Sequence, residues 1–308
     1  MDPQAPAIQE KVNDLRSNPA WKLTKEKLVD PLRRLAFETV YRGYLPLSYC
    51  DSPNWGDALS PVLCGLLSGL PVKQMLWRHQ HRYLAIGSIL GNANARAEVW
   101  GSGFVWPDEK LAEPPQAVHA VRGPRTRARL LAQGMDCPEI YGDPALLFPR
   151  FFNPPVAKTY AVGIIPHFSD KESGWIKQQQ SNPDPQVRII DVEGGIEPFV
   201  KAVKSCELIV SSSLHGLICA DAYGVPNLWV KLSDILWGGS FKFCDYCESV
   251  GRETPVPVIP DSATSLAEVT RNFRPYTASL DLRPLINACP FMLPEVRQKL
   301  LIDPGLTH

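Results

Sequence analysis

From residue 44 onward the chain alternates short apolar runs with stretches whose apolar residues recur every three or four positions. The runs at 44–50, 83–87, 97–101, 118–121 and 139–142 predict strands, and the spacing predicts helices over 57–67 and 124–133. Leu59, Val62, Leu63, Leu66 and Leu67 line one face of the first helix. Residues 148–158, with Pro149, Pro154 and Pro155, break the pattern and read as a linker. A second set follows: strand-like runs at 160–165, 187–192, 208–212 and 227–231, with helical spacing at 196–205 and 215–223. After Thr254-Pro255-Val256-Pro257 the chain is helical and punctuated by proline. Ahead of all this, Val29, Leu32, Leu35, Ala36 and Val40 mark a helical arm, with Pro31 near its start and Gly43 as its stop.

Strands alternating with helices imply parallel sheets built from βαβ units. The expected organisation is an arm at 1–43, α/β halves at 44–150 and 156–260, and a helical segment at 261–308. Two such halves predict a cleft between them, with ligands bound beyond the carboxyl ends of the strands.

Composition narrows the function. Apolar residues make up 44% and charged residues 21%, as expected of a globular chain and not of a disordered one. Thirty-two basic residues balance thirty-two acidic ones, so no bulk positive field is available for nucleic acid, and an anionic ligand needs a local site. The first eleven residues show no signal-peptide pattern, and the longest apolar stretch, 61–72, is too short to span a bilayer. Most of the eight cysteines sit in apolar runs and read as structural thiols; Cys244 and Cys247 form the one close pair, without the further ligands a zinc site needs.

The strongest chemical signal is Ser211-Ser212-Ser213-Leu214-His215-Gly216, where an apolar strand ends in hydroxyls and a helix begins. With Ser213 as N-cap, His215 falls in the first turn beside free N–H groups that favour an anion. An anion there would stabilise the charged imidazole and suit it to donate a proton. Arg122 ends a strand just before the helix-starting Pro124, where its fork could hold a phosphate or carboxylate. Arg125 and Arg129, on the helix that follows, read as a solvated stripe. Asn54 and Asp57, in Asn54-Trp55-Gly56-Asp57, are either helix caps or hydrogen-bonding groups for a hydroxylated substrate; spacing leaves both open. Lys242, between Phe241 and Phe243, offers a second cation or a snorkelling surface lysine. His167 ends the first strand of the second half and faces the expected cleft, whereas His79 and His81 read as surface. No GxGxxG or GxxxxGK[ST] motif occurs in context, so bound NAD or ATP is not supported.

In order, Asn54-Trp55-Gly56-Asp57, Val121-Arg122-Gly123-Pro124, Gly142-Asp143-Pro144-Ala145, Gly163-Ile164-Ile165-Pro166-His167, Ser213-Leu214-His215-Gly216 and Phe241-Lys242-Phe243-Cys244-Asp245-Tyr246 together resemble the polysaccharide pyruvyl transferase family. The resemblance implies two Rossmann-like domains in a GT-B-like arrangement with an interdomain cleft, acceptor side at 44–150 and donor side at 156–260. It implies phosphoenolpyruvate as donor substrate, a glycan or lipid-linked oligosaccharide as acceptor, and a pyruvate ketal and phosphate as products; with no residue cluster at metal-ligand spacing, no metal or other cofactor is expected. His215 matches the family's catalytic histidine and Arg122 a donor-binding arginine. Ser213 stands where the family's Arg-Leu-His motif has arginine, and Lys242 is the nearest replacement charge. The expected site is then His215 and Asp57 in catalysis, with Arg122, Lys242, Ser212, Ser213, Leu214, Asn54 and His167 binding substrate. The expected location is the cytoplasm, with peripheral contact to the inner face of the membrane left open, as is the oligomeric state. The rival readings are a GT-B glycosyltransferase using a nucleotide sugar and a non-catalytic glycan-binding homologue.

Overall fold

A computed structural model of the chain describes residues 43–76, 79–233, 239–252 and 256–302; the expected arm lies outside them except for Gly43. The described residues from Leu45 onward form one compact unit. Its first half holds strands β1 (Leu45–Ser48), β2 (Val72–Gln74), β3 (Arg82–Leu84), β4 (Ala97–Trp100) and β5 (Ala117–Ala120), all parallel, in the order β2-β1-β3-β4-β5. Helices α1 (Trp55–Ser68) and α2 (Pro124–Leu131) belong to this half. The second half holds β6 (Tyr160–Ile165), α3 (Gly174–Ser181), β7 (Val187–Ile189), α4 (Ile196–Lys204), β8 (Cys206–Ser211), α5 (Leu214–Ala222) and β9 (Asn227–Trp229), its sheet ordered β7-β6-β8-β9 and also parallel. Helix α6 (Phe241–Ser249) and the short C-terminal helices α7 (Leu266–Thr270), α8 (Arg283–Ala288) and α9 (Pro294–Leu301) follow.

Four elements depart from the sequence reading. The expected strand at 139–142 contributes only an isolated bridge between Tyr141 and Val121. Strand β2 escaped notice because Lys73 and Gln74 dilute its apolar pattern, and α3 because Lys177 and three glutamines do the same. The start of the supposed linker is core: Pro144–Arg150 is a 3-10 helix in which residues 144 to 149 are all buried.

One apolar core continues through both halves, joining Leu47, Trp55 and Leu63 to Ile165, Phe199 and Leu217. Trp55 is the main plug. It is fully buried and packs on Phe199 at 5.6 Å and Phe148 at 6.4 Å between ring centroids. Its backbone N–H donates to Val192 O at 2.8 Å, stapling the start of α1 to the second half. The C-terminal segment returns to the first half, where Trp100 Nε1 donates to Leu285 O at 2.8 Å.

Candidate active site

In each sheet the strand order reverses direction beside the first strand, between β1 and β3 in one and between β6 and β8 in the other. At such points the loops leaving the strands part and open a crevice. The first sheet presents residues 49–57 after β1 and residues 85–88 after β3. The second presents Pro166 and His167 after β6 and Ser212, Ser213, Leu214 and His215 after β8. The two sets meet. His215 Nδ1 lies 2.7 Å from Asn54 Oδ1, and the imidazole lies face-on against Gly56, where an added Cβ would sit 2.3 Å from Cδ2.

His215 is half-buried, in the first turn of α5. Burial depresses its pKa to about 3, and the nearby charges of Lys242 and Arg122 add to the effect. Without an anion beside it the imidazole is therefore neutral, and the expected proton donation depends on an anion arriving. His167 is likewise lowered to about 4, by burial first and then Lys242. Each imidazole stays uncharged in the folded chain while its unfolded counterpart charges below the ordinary 6.5. Their contribution to stability is present above pH 6.5 and is lost as the pH falls toward those values. Asp57 and Asp143, both raised by burial from 3.8 to about 6, run the other way: their contribution is present below 3.8 and is lost as the pH rises through 6. His215→Gln is therefore expected to close its melting-temperature gap to the wild type, or reverse it, as the pH drops from about 7 to about 4. A gap independent of pH would contradict a neutral His215.

Lys242 is 8% exposed and, among the described residues, its Nζ has no hydrogen bond or ion pair. Burial and Arg122 pull its pKa down to about 8, against Asp57 and Asp170, which support the charge. Its Nζ lies over the Phe243 ring, 5.6 Å from the centroid, a cation–π contact that leaves its hydrogen-bond donors available. Its position is set by the helix it starts. On α6, Asp245 receives Arg122 Nε and Nη2, both at 3.0 Å, and also Thr126 N at 2.8 Å and Thr126 Oγ1 at 2.7 Å. Glu248, one turn on, takes a two-pronged ion pair from Arg125. The backbones meet so closely that a Cβ on Gly123 would lie 1.9 Å from Asp245 O.

Two readings of the arginines are corrected by this geometry. Arg122 is fully buried, and it also donates from Nη1 to Ser88 Oγ and from Nη2, at 2.8 Å, to Phe104 O. Every guanidinium nitrogen has a protein partner, so Arg122 clasps α6 instead of presenting a fork to a ligand. Arg125 is no solvated stripe, since it grips Glu248. His81 also departs from the surface reading: it and His119 flank Glu98 at 2.9 and 2.7 Å.

The hydroxyls divide their work. Ser211 Oγ, not Ser213, accepts the Ser213 N–H at the start of α5. Ser213 Oγ is buried without a partner. Ser212 Oγ donates to Asp170 Oδ2 at 2.7 Å and accepts the His167 N–H at 2.9 Å, so it braces the loop after β6. The Leu214 side chain is 6% exposed and packs in the core, which corrects its reading as a substrate contact; only its backbone faces the helix start. Asn54 is 4% exposed with Oδ1 committed to Gly56 N and His215, so its oxygen serves the imidazole and α1. Asp57 stays half-buried near Gly87. Asp143, buried with Oδ2 unpartnered, and Asp170 were missed as site residues; Asp143 had a signal in its Gly142-Asp143-Pro144 motif, Asp170 none.

A surface hollow of about 570 Å³ lies elsewhere, on the outer face of α1 between Val62, Leu66 and Leu70, and contains none of these groups. Among the described residues no cluster of His, Cys, Asp and Glu is arranged to hold a metal ion, and no helix is long and apolar enough to cross a membrane. All eight cysteines are free, and Cys50 alone of them is exposed.

Comparison with known proteins adds to the geometry. Over 174 residues the chain is 33% identical to the uncharacterized protein L143 of Acanthamoeba polyphaga mimivirus, covering 54% of this chain and 60% of that protein. Over 221 residues it is 30% identical to the succinoglycan biosynthesis protein ExoV of Rhizobium meliloti strain 1021, covering 67% and 65% respectively. The chain thus spans less than two thirds of the length of either relative. Residues 99–234 match the family model described as polysaccharide pyruvyl transferase. That stretch carries Arg122, Asp143, His167, Ser212, Ser213 and His215, and over it the chain is similar to the polysaccharide pyruvyl transferase family.

Proposed function

We propose that this protein is a ketal pyruvyltransferase of polysaccharide biosynthesis. It moves the enolpyruvyl group of phosphoenolpyruvate to two hydroxyls of one sugar in a glycan or lipid-linked oligosaccharide and releases phosphate. The observation that chiefly supports this is that Lys242, whose Nζ has no hydrogen bond or ion pair among the described residues, lies near enough to the imidazole of His215 at the start of α5 to lower its pKa. A neutral chain needs such concentrated local charge to hold a small, doubly acidic donor.

The donor's negative charge favours the imidazolium. His215 passes this proton from Nε2 to the methylene carbon, which leaves C2 electron-poor. A sugar hydroxyl attacks C2, and its proton goes to the now neutral His215 or to Asp57. The C2–O bond to phosphate breaks, the second hydroxyl closes the ketal, and its proton leaves with the phosphate. Lys242 balances the donor's charge in place of the arginine absent at Ser213. The two sheets are then the acceptor-side and donor-side domains of a GT-B-like fold, and the reaction takes place in the cytoplasm.

Screening acceptor oligosaccharides with phosphoenolpyruvate tests this reading. Acceptor-dependent phosphate release and a gain of one pyruvyl group by mass are expected. Transfer from a nucleotide sugar, or no modification of any acceptor, would overturn it. Lys242→Met is expected to weaken donor binding about tenfold to a hundredfold, the range for losing a charge-assisted bond; unchanged affinity in a donor titration would remove Lys242 from the site.

A further inference from the structure

The contact between Asn54 and His215 fixes more than a distance. Asn54 Oδ1 accepts the Gly56 N–H at 3.4 Å as it caps α1, and it lies 2.7 Å from His215 Nδ1. Turning the amide over would point its NH₂ at the Gly56 N–H, donor against donor, so the oxygen must occupy this position. An amide oxygen can only accept, and the proton in the contact therefore belongs to His215 Nδ1. Nε2 is left bare in the neutral ring, and among the described residues nothing bonds to it.

The seat is held from both sides. The Asn54 N–H donates to Ser52 Oγ at 3.2 Å, and the Trp55 N–H donates across to Val192 O at 2.8 Å. Gly56 supplies a floor with no side chain, since a Cβ there would come within 2.4 Å of three ring atoms. We infer that Asn54 and Gly56 are positioning residues, a seat contributed by the first half of the chain that locks the imidazole of the second half with its proton on Nδ1 and Nε2 as the reacting nitrogen. The role in turnover rests on the pyruvyl-transfer reading; the tautomer does not.

Nitrogen NMR of protein labelled with [¹⁵N]histidine reads the tautomer without any substrate, and subtraction of the His215→Gln spectrum picks out His215 from the chain's six histidines. At neutral pH the His215 Nδ1 signal is expected in the protonated, pyrrole-like range and Nε2 in the bare, pyridine-like range. Asn54→Asp keeps the acceptor and the cap but adds a negative charge, so the His215 titration midpoint is expected to rise while Nδ1 keeps its proton. In Asn54→Ala the two signals are expected to move toward one another as the tautomers mix, and in Gly56→Ala both are expected to shift as the ring is displaced. A proton on Nε2 in the wild type would overturn the inference, as would Asn54→Ala and Gly56→Ala spectra identical to the wild type. Neither result would bear on whether phosphoenolpyruvate is the donor. Absence of pyruvyl transfer with the Nδ1–H tautomer intact would instead reject the functional reading and leave the seat standing.

Discussion

Replacing His215 with glutamine is expected to lower turnover about a hundredfold to ten-thousandfold, the usual range for a general acid–base group. Glutamine keeps much of the bulk against Gly56 and can still hydrogen-bond to Asn54, so the fold should survive. What it cannot do is take a proton on one side and return it on the other. The effect should therefore fall on kcat, with donor affinity changed far less than by Lys242→Met. His215 is suited to this cycle because its empty-site pKa, about 3, leaves Nε2 uncharged until an anion arrives. Near wild-type turnover in a folded His215→Gln protein would remove the imidazole from the chemistry.

The second large effect concerns stability. Arg122→Met is expected to destabilise the chain by about 3–5 kcal/mol, because it strips a buried carboxylate of its cation. Asp245 would keep its two bonds from Thr126 but would have no positive partner. Both side chains are 0% exposed, so water cannot make good the loss. A fall of the urea midpoint with little change in slope would show a loss of stability without a change in compactness. Because α6 also carries Lys242, Arg122→Met is further expected to weaken donor binding by displacing that ammonium, although the guanidinium itself has no nitrogen to spare. Full wild-type stability would mean that the clasp contributes nothing.

The sequence conveyed the site's membership better than its division of labour. His215, Lys242, Asn54, Asp57 and Arg122 all lie at strand ends or helix starts, where a change in apolar period is visible in one dimension. What each does depends on partners more than a hundred residues away, such as Asp245 for Arg122 and His215 for Asn54. Local spacing contains no such information, so Arg122 read as a ligand fork and Asn54 was left open between a helix cap and a sugar contact. Ionisation was illegible for the same reason. The drop of His215 to about 3 comes from burial and from cations brought in by other elements. Among the elements, β6 was legible to the residue because its apolar run Tyr160–Ile165 is bounded by polar and proline residues. Strand β2 was not, because a short strand with burial on neither side of Lys73 leaves no alternation to read.

Calorimetry of phosphoenolpyruvate binding at neutral pH, repeated in buffers of different ionisation enthalpy, tests the central claim most directly. The wild type is expected to take up a proton as the donor binds, because the incoming negative charge turns a neutral His215 into an imidazolium. His215→Gln should bind without that uptake, and Lys242→Met should bind far more weakly. Donor binding with no proton uptake in the wild type, or with an affinity indifferent to both substitutions, would contradict the account.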